Sequence, residues 1–262
     1  MNTRYPIVLV HGLAMRDTFF MKSWGRIDRI LRIQGHTVYK SRVDAFGSVE
    51  TNAAQLREEI LGILRETGAE KVNIIAHSKG GLDAKYMIRE LGMAPRVASL
   101  TTLCTPHRGT PIASFIMRFP KFAVRYVAFW VNLAYRILGD KTPDSFKACE
   151  ELRRTEHLET DTVNVADGVM CQSFSSRMTP GRSRNDFLMT VPLLFSRFLE
   201  KDSVTDGLVP RDSAIFGTYR GDCVDDSVSH SEIVDFMVQG KKRDKIFAFY
   251  SALCEELVRA GF

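Results

Sequence analysis

One stretch of the chain, residues 72–91, changes its hydrophobic pattern abruptly and constrains the fold more than any other. Val72 to Ala76 is a short apolar run rich in β-branched residues, which is typical of a strand buried on both faces of a parallel sheet. From Leu82 to Leu91 the apolar residues follow helical spacing, and Gly92 is a predicted stop. The turn between the two elements contains Ser78. The stretch therefore predicts a strand, a sharp turn and a helix.

Small residues on both sides of Ser78 allow this strand and helix to approach each other closely. Ala76 and Gly80 stand two positions before and after it, in the pattern of a G-x-S-x-G elbow with alanine at the first small position. Such a turn exposes the serine hydroxyl and points the first N–H groups of the helix toward any negative charge that develops beside it. Ser78 is thus a candidate nucleophile, and the alternative is an ordinary strand–helix turn that happens to contain serine.

Further strands and helices alternate along the chain. A second buried-type strand is predicted at Ile7–Val10, and further strands at Thr37–Lys40, Val97–Leu103 and near Val169. Helices are predicted at Trp24–Gln34, between a Ser48 cap and Gly68, and at Glu232–Met237. The alternation predicts an α/β fold with a mostly parallel central sheet and right-handed crossovers. At 262 residues we expect a single domain that spans residues 1–262.

The composition is that of an ordinary globular protein and excludes several classes of function. Hydrophobic residues make up 45% of the chain, charged residues 26%, and the net charge is +5. Because Lys241-Lys242-Arg243 is the one concentrated basic run, we expect no nucleic-acid partner. No signal peptide or spanning helix is visible, so the expected location is cytoplasmic unless a leader has been removed. The five cysteines lack a C-x-x-C pair, which predicts reduced structural thiols, and no cofactor is expected.

The end of the first strand carries a second feature that an acyl-transfer site needs. His11-Gly12-Leu13 follows Val10, and Gly12 permits a sharp turn at the carboxyl end of the sheet, where ligands bind in open α/β folds. The Leu13 N–H is predicted to pair with the Lys79 N–H as the two donors of an oxyanion hole. Without the serine elbow, a plain strand-end turn would be an equally good interpretation.

Several motifs stand in the order found in one family of enzymes. They are Tyr5–Gly12, the elbow at Ser78, Thr105–Thr110, Asp206–Pro210 and Ser229–Glu232. Together they resemble the bacterial true-lipase (triacylglycerol lipase) family of α/β-hydrolases. The resemblance implies an α/β-hydrolase fold, in which helices flank a mostly parallel central sheet that carries a helical lid or cap insert.

A serine nucleophile needs a base and an orienting carboxylate, which follow it in the order acid, then base in this fold. Of the later histidines, His157 lies in a polar run, the resemblance implies a structural role for His107, and His230 remains as the base. Asp206 is the predicted acid because it heads an Asp-Gly turn on which the family motif falls. Its competitors are Asp202, Asp212, Asp225 and Asp226.

The sequence leaves two questions about charged residues near these motifs undecided: a calcium site and the position of Lys79. Relatives in the family often carry a structural calcium near the catalytic loop, and Glu232 and Asp186 stand at comparable positions. Two carboxylates are too few ligands for a hard cation, so the metal is left unassigned.

Lys79 departs from the family pattern because a cation adjoins the nucleophile. One interpretation places its side chain on the helix surface, paired with a carboxylate.

An apolar insert separates Leu103 from the strand near Val169, and we predict a helical lid or cap there, at about residues 111–160. Basic residues interrupt its apolar face and Pro120 breaks it, so it is not a membrane-spanning helix. The candidate lid or acyl-pocket residues are Phe115, Phe119, Phe122, Tyr126 and Trp130. In the closed state we expect this face to pack over the Ser78 pocket; the alternative is that these are core helices of a cap.

Taken together, these features predict a serine ester hydrolase, a lipase or carboxylesterase, that forms an acyl-enzyme through Ser78, Asp206 and His230. The expected partner is a lipid or small ester, with transient contact to a lipid interface through the lid. Two alternatives stay open: an acyltransferase that uses the same triad, and a non-catalytic binding protein on a hydrolase scaffold.

Overall fold

A parallel sheet of six strands forms the centre of the part of the chain that the computed structural model describes, residues 2–17, 22–154, 165–179, 187–201 and 203–262. The strands are β1 (Ile7–Val10), β2 (Val38–Lys40), β3 (Val72–His77), β4 (Val97–Leu103), β5 (Met170–Ser175) and β6 (Thr218–Asp222). Their order across the sheet is β2-β1-β3-β4-β5-β6, with every neighbouring pair parallel. The crossover from β1 leads to one side of the sheet, and the next crossover leads to β3 on the other side of β1. The strand order therefore switches between β1 and β3, and ligands bind at such a switch point in open α/β sheets.

Helices cover both faces of the sheet, as the sequence pattern predicts. They are α1 (Ile27–Ile33), α2 (Val49–Thr67), α3 (Lys79–Glu90), α4 (Pro111–Ile116), α5 (Lys121–Ile137), α6 (Ser145–Glu151), α7 (Phe187–Leu199), α8 (Arg211–Ala214) and α9 (Gly240–Arg259). Short 3₁₀ turns are found at Ala94–Arg96 and Glu232–Val234. The predicted mostly parallel sheet with flanking helices is confirmed.

Two hydrophobic clusters, one on each face of the sheet, make up the core. Side chains alternate along β1, so that Ile7 and Leu9 pack with α1 and α9, whereas Val8 and Val10 pack with α2 and α3. Removing this apolar surface from water stabilises the fold by about 25 cal/mol for each Å² buried. All five cysteines lie within the described residues, and all are free thiols.

Helix α2 has the boundaries that its sequence signals predict. The Ser48 Oγ accepts the Thr51 N–H at 3.2 Å at the start, and Gly68 ends the helix in the left-handed conformation, with φ of 68°. The apolar stripe of the helix is buried against the sheet: Leu56, Ile60, Ile63 and Leu64. Local capping chemistry and hydrophobic spacing agree here, and the prediction is confirmed.

Other helix boundaries differ from those predicted. Helix α1 begins at Ile27 rather than Trp24, because Gly25 has a φ of 46° that a helix does not accommodate. Helix α3 begins at Lys79, earlier than the apolar spacing from Leu82 indicates. Glycines in its first turn hide the start of the helix from an analysis based on propensity.

The predicted helix at Glu232–Met237 is wrong. Only the 3₁₀ turn Glu232–Val234 forms, because Asp235 and Met237 have φ values of 62° and 57°. Asp235 is fixed in this conformation by Arg26, whose backbone N–H and guanidinium both donate to its carboxylate at 2.7–2.9 Å. A tertiary contact 209 residues away in the chain thus overrides the local helical pattern.

The described part of the predicted insert consists of α4, α5 and α6, and residues 155–160 lie outside the described residues. Thr110 caps α4 with its side chain, and the predicted break at Pro120 is confirmed, since this residue directly precedes α5. None of the described helices has the length and the apolar character that crossing a membrane requires.

Candidate active site

Ser78 forms a strained turn between β3 and α3. Its φ of 54° and ψ of −133° lie in a region that residues with side chains avoid, at a cost of about 1–3 kcal/mol. The Ser78 N–H donates to the Leu103 carbonyl at the end of β4, at 3.0 Å, which ties the turn to the neighbouring strand. The turn therefore holds the Ser78 hydroxyl at the carboxyl edge of the sheet, beside the point where the strand order reverses.

Two glycines allow the backbone to come close to this turn. A Cβ on Gly12 would lie 2.6 Å from the Ser78 Cβ, and one on Gly80 would lie 2.4 Å from the His11 carbonyl oxygen. Real Cβ atoms do not approach other atoms so closely, so both positions require glycine. The turn that follows β1 and the turn that follows β3 are thus in direct contact, as the sequence analysis predicts.

Ser78, His230 and Asp206 form one chain of hydrogen bonds. The Ser78 Oγ lies 2.9 Å from His230 Nε2, and His230 Nδ1 lies 2.7 Å from Asp206 Oδ2. The other carboxylate oxygen accepts the N–H groups of Leu208 and Val209 at 2.9 and 2.8 Å. Because a carboxylate only accepts, Nδ1 carries the proton toward Asp206, which leaves the Nε2 lone pair for the serine hydroxyl. The three residues that the sequence motifs single out are therefore together.

A second histidine, His77, supports the backbone of His230. Its Nε2 donates to the His230 carbonyl at 3.0 Å, and the His230 N–H donates to the Asp206 carbonyl at 2.9 Å. Burial, together with the charge of His230, lowers the pKa of His77 well below its ordinary value, so its ring is neutral. This role of His77 was not predicted, although its position directly before the nucleophile pointed to it.

The two predicted oxyanion donors lie in the two turns beside the serine hydroxyl. Leu13 follows Gly12, which contacts Ser78, and Lys79 follows Ser78 directly. Among the described residues, neither the Leu13 N–H nor the Lys79 N–H has an acceptor. Unpaired N–H groups at the start of a helix and in a turn suit a developing negative charge. Their pairing around an oxyanion stays a prediction.

The side chain of Lys79 pairs with a carboxylate but is buried, so the interpretation that places it on the helix surface is wrong. Its Nζ lies 2.5 Å from Asp83 Oδ1, and both side chains are 1% exposed. The Asn52 Nδ2, from α2, donates to the other carboxylate oxygen at 3.0 Å. Burial raises the pKa of Asp83 to about 6, against the opposing effect of Lys79. The i,i+4 spacing of Lys79 and Asp83 indicates that the two side chains can pair. Their burial depends on how α3 packs against α2, which the spacing does not reveal.

The described competitors for the acid and the base make other contacts. The His107 Nε2 lies 3.2 Å from Thr102 Oγ1, and its ring stacks on Phe216 with a centroid distance of 4.5 Å. Three aspartates form ion pairs near the surface: Asp212 with Arg154, Asp225 with Arg177 and Asp226 with Lys245. His157 and Asp202 lie outside the described residues.

Within the described residues, one group of side chains is close enough to share a metal ion. The ligand atoms of Cys104, Asp206 and His230 lie within 4.8 Å of one another. Two of these residues already bond to each other, however, and the thiol has no tendency to ionise. A hydrogen bond with Cys223, and then burial, raises the pKa of Cys104 well above its ordinary value. We therefore assign this group to the histidine–aspartate pair and not to a metal.

The residues near the loop of His230 do not fit the calcium that the resemblance suggested. The Glu232 carboxylate accepts the Ser229 N–H at 2.9 Å and the Lys242 ammonium at 3.0 and 3.1 Å. A positive charge is thus already supplied by the chain itself, and a calcium ion would have to displace it. Asp186, the second candidate ligand, lies outside the described residues.

Helix α5 exposes the apolar face that was expected to cover Ser78. Phe122, Tyr126 and Trp130 are 78%, 66% and 53% exposed, so the expected packing of this face over the pocket is wrong for the described conformation. Phe119 is also exposed, whereas Phe115, in α4, is half-buried and contacts the rings of Phe119 and Phe195. The opposite side of α5 attaches it to the rest of the fold. Asn132 Oδ1 accepts the Ser145 N–H at the start of α6, at 2.9 Å, and the Tyr135 ring packs against Phe46 with a centroid distance of 4.4 Å.

One known protein family matches the part of the chain that contains the Ser78 turn. The model of the family described as "Putative serine esterase (DUF676)" matches residues 6–144, more than half of the chain. The chain belongs to the DUF676 family. The matched residues include the turn that follows β1 and the turn that contains Ser78, whereas Asp206 and His230 come after the matched range.

Individual relatives of this DUF676 member have lipase names. The triacylglycerol lipase of Pseudarthrobacter phenanthrenivorans is 35% identical over 173 residues, which cover 62% of this chain and 53% of that protein. Triacylglycerol lipase 2 of Saccharomyces cerevisiae is 29% identical over 259 residues, which cover 91% and 74%. The chain thus spans about half the length of the bacterial relative. The resemblance to triacylglycerol lipases seen in the sequence is confirmed.

Solved structures show the same fold for this DUF676 member. A metagenomic carboxyl esterase superimposes with a TM-score of 0.71 at 17% identity, over 96% of this chain and 76% of that protein. The chain has the α/β-hydrolase fold, as the sequence motifs imply.

Proposed function

We propose that the protein is a serine ester hydrolase whose substrates are carboxylic esters, in particular lipid acyl esters. The observation that carries the proposal is the hydrogen-bonded chain from Ser78 through His230 to Asp206, at a strained turn on the carboxyl edge of the sheet. The serine esterase family and the relatives named triacylglycerol lipase support the reaction class.

The proposed mechanism uses each residue in a separate role. His230 Nε2 takes the Ser78 proton as the hydroxyl attacks the ester carbonyl, and Asp206 stabilises the imidazolium that forms. The N–H groups of Leu13 and Lys79 bind the tetrahedral oxyanion, which accelerates the step by roughly a hundredfold or more for each donor. His230 then gives the proton to the leaving alcohol. Water, activated by the same imidazole, hydrolyses the acyl-enzyme and releases the free acid.

Two features of α5 support contact with a lipid surface. Its outer face is apolar and exposed, and residues 111–139 contain four basic residues and no acidic one. An exposed apolar patch with positive charge suits the interface of an anionic lipid, where each basic residue contributes about 1 kcal/mol. Such contact would bring lipid esters to the site, so the proposed substrates include aggregated lipids.

Substitution of the three central residues tests the chemistry. Ser78→Ala, Asp206→Asn and His230→Ala should each lower kcat by about 10⁴-fold or more, because the groups act as a unit in the transition state. KM for a soluble short-chain ester should change much less. A fluorophosphonate probe should label wild-type protein at Ser78 and leave Ser78→Ala unlabelled. Asp225→Asn, an exposed aspartate close in sequence to His230, is the matched control and should keep wild-type kinetics.

Two results would contradict the proposal. Substantial turnover by Ser78→Ala would place the nucleophile elsewhere, and a greater loss in Asp225→Asn than in Asp206→Asn would reject the assigned acid. Product analysis in the presence of a long-chain alcohol separates hydrolysis from acyl transfer. Free acid is the product expected here, whereas a transesterified product in excess would identify an acyltransferase.

A further inference from the structure

The residues on either side of His230 close into a reciprocal pair of hydrogen bonds. The Glu232 N–H donates to Ser229 Oγ at 3.2 Å, and the Ser229 N–H donates to Glu232 Oε2 at 2.9 Å. Both residues are buried. The pair has the reciprocal S-x-x-E pattern of a capping box, with His230 enclosed between its two members, although the 3₁₀ turn Glu232–Val234 itself begins after Ser231. The side chain of Glu232 therefore fixes the loop that presents His230 to Ser78.

Lys242, in the first turn of α9, holds the carboxylate of Glu232. Its Nζ donates to both carboxylate oxygens, at 3.0 and 3.1 Å, and the two side chains are 17% and 4% exposed. A carboxylate at this depth needs an opposite charge, and without one it is an uncompensated buried ion. Lys242 thus connects α9 to the loop of His230.

We propose that Lys242 is a positioning residue for His230. Through Glu232, it keeps the capping box closed, so that the imidazole stays within hydrogen-bonding distance of Ser78. This role rests on the proposed function, because it is defined by the chemistry of His230.

The geometry explains why a single lysine has this effect. Asp206 and His77 hold His230 through its ring and its backbone, on the side facing the sheet. The segment that leaves His230 is closed by the Glu232 carboxylate, which the Lys242 ammonium keeps in place. A displacement of a reacting group by about 1 Å costs roughly 10²-fold in rate. Opening of the box is therefore expected to appear in kcat and not in substrate binding.

Lys242→Met tests the proposal, because methionine keeps the length of the side chain and removes its charge. With a soluble monomeric ester, we expect kcat to fall by about 10- to 100-fold while KM stays within about twofold. Lys242→Arg should keep most of the wild-type kcat. The double variant Glu232→Gln with Lys242→Met should recover much of the loss, because glutamine closes the box without a charge. Lys241→Met, an exposed neighbour in the same turn, is the matched control and should behave as wild type.

A second measurement tests whether the positive charge itself is what Glu232 requires. Ethylammonium chloride should partly restore kcat in Lys242→Ala, where the shorter side chain leaves room beside Glu232, and sodium chloride at equal ionic strength should not. No recovery of Lys242→Ala with ethylammonium would overturn the assignment of the effect to the charge of the lysine.

The positioning role has a readout that does not depend on turnover. The Nδ1 proton of His230, bonded to Asp206, should give a downfield NMR signal in wild type and Lys242→Arg that is shifted or lost in Lys242→Met. A lower melting temperature in Lys242→Met, with kcat and this signal unchanged, would mean that the lysine is only structural. If wild type cleaves no ester and no probe labels Ser78, the proposed function fails, whereas the NMR comparison still decides whether Lys242 positions His230.

Discussion

At Gly12, one methyl group decides whether Ser78 keeps its place. The added Cβ of Gly12→Ala would lie 2.6 Å from the Ser78 Cβ, so either the serine or the turn after β1 must move. We expect kcat to fall by roughly 10²-fold on a soluble ester, since a shift of about 1 Å at the reacting groups has that effect. The rate of fluorophosphonate labelling should fall with it.

Gly62→Ala, in the middle of α2, is the control for this substitution. The nearest atom to its added Cβ is the Arg65 Nη2 at 4.0 Å, so the methyl group meets no obstacle. This variant should keep wild-type activity and gain about 0.5–1 kcal/mol in the free energy of unfolding, measured in urea. Full activity in Gly12→Ala would mean that the two turns are less tightly coupled than their contact implies.

The sequence predicts the position of a single residue where a local motif determines the conformation of its backbone. Ser78, Asp206 and His230 stand in motifs whose neighbours reveal their conformation, and the structure brings them together. The buried position of Lys79 and the support from His77 were not predicted. Both depend on contacts between elements that are distant in the chain, which no local pattern encodes.

Helix α5 is the element whose surface departs most from expectation. Its hydrophobic spacing predicts a buried face, yet Phe122, Tyr126 and Trp130 are exposed. Replacing these three residues with serine should abolish any rise in activity when a long-chain ester passes from monomers to aggregates. Activity on soluble short-chain esters should stay unchanged, because more than half of each of these side chains is exposed. Activation in the wild type should be stronger with anionic lipid and weaker at high salt.

Ile33→Ser is the matched control, because Ile33 is an exposed apolar residue on α1, away from the insert. It should leave the activation unchanged. If the rate of the wild-type protein follows monomer concentration alone, and the triple variant only lowers the melting temperature, the lid prediction is wrong and α5 serves the fold.

The elements that were predicted and those that were missed differ in hydrophobicity. Strands buried on both faces, such as β3 and β4, form continuous apolar runs that the sequence reveals. Strand β6, Thr218–Asp222, was missed because it lies at the edge of the sheet and contains mostly polar residues. Hydrophobic spacing predicts that a helix has an apolar face, but not whether another element covers that face, and α5 is the example.

Across the whole molecule, buried histidines make stability depend on pH. Burial is the main cause that lowers the pKa of four described histidines: His11, His36, His77 and His107. Below pH 6.5, the unfolded chain therefore binds more protons at these side chains than the folded chain does. The free energy of unfolding therefore falls as the pH decreases from about 6.5 toward the folded pKa values, by up to about 1.4 kcal/mol per pH unit for each group.

His107→Gln isolates one of these contributions at a distance from the nucleophile. Between pH 6 and pH 5, the slope of the unfolding free energy against pH should be smaller than that of wild type by about 1 kcal/mol per pH unit. Urea unfolding at several pH values measures both slopes. Parallel curves for the two proteins would mean that His107 takes up a proton in the folded state as readily as in the unfolded state.

The buried pair of Lys79 and Asp83 also limits how this sequence can evolve. Loss of either partner leaves an unpaired ion at a cost of about 3–5 kcal/mol, out of a total stability of roughly 5–15 kcal/mol for a typical domain. An apolar pair of the same volume would serve the fold as well, but each route to it passes through an intermediate that has lost a large part of its stability. We therefore expect Lys79 and Asp83 to be inherited together or replaced together in the descendants of this chain.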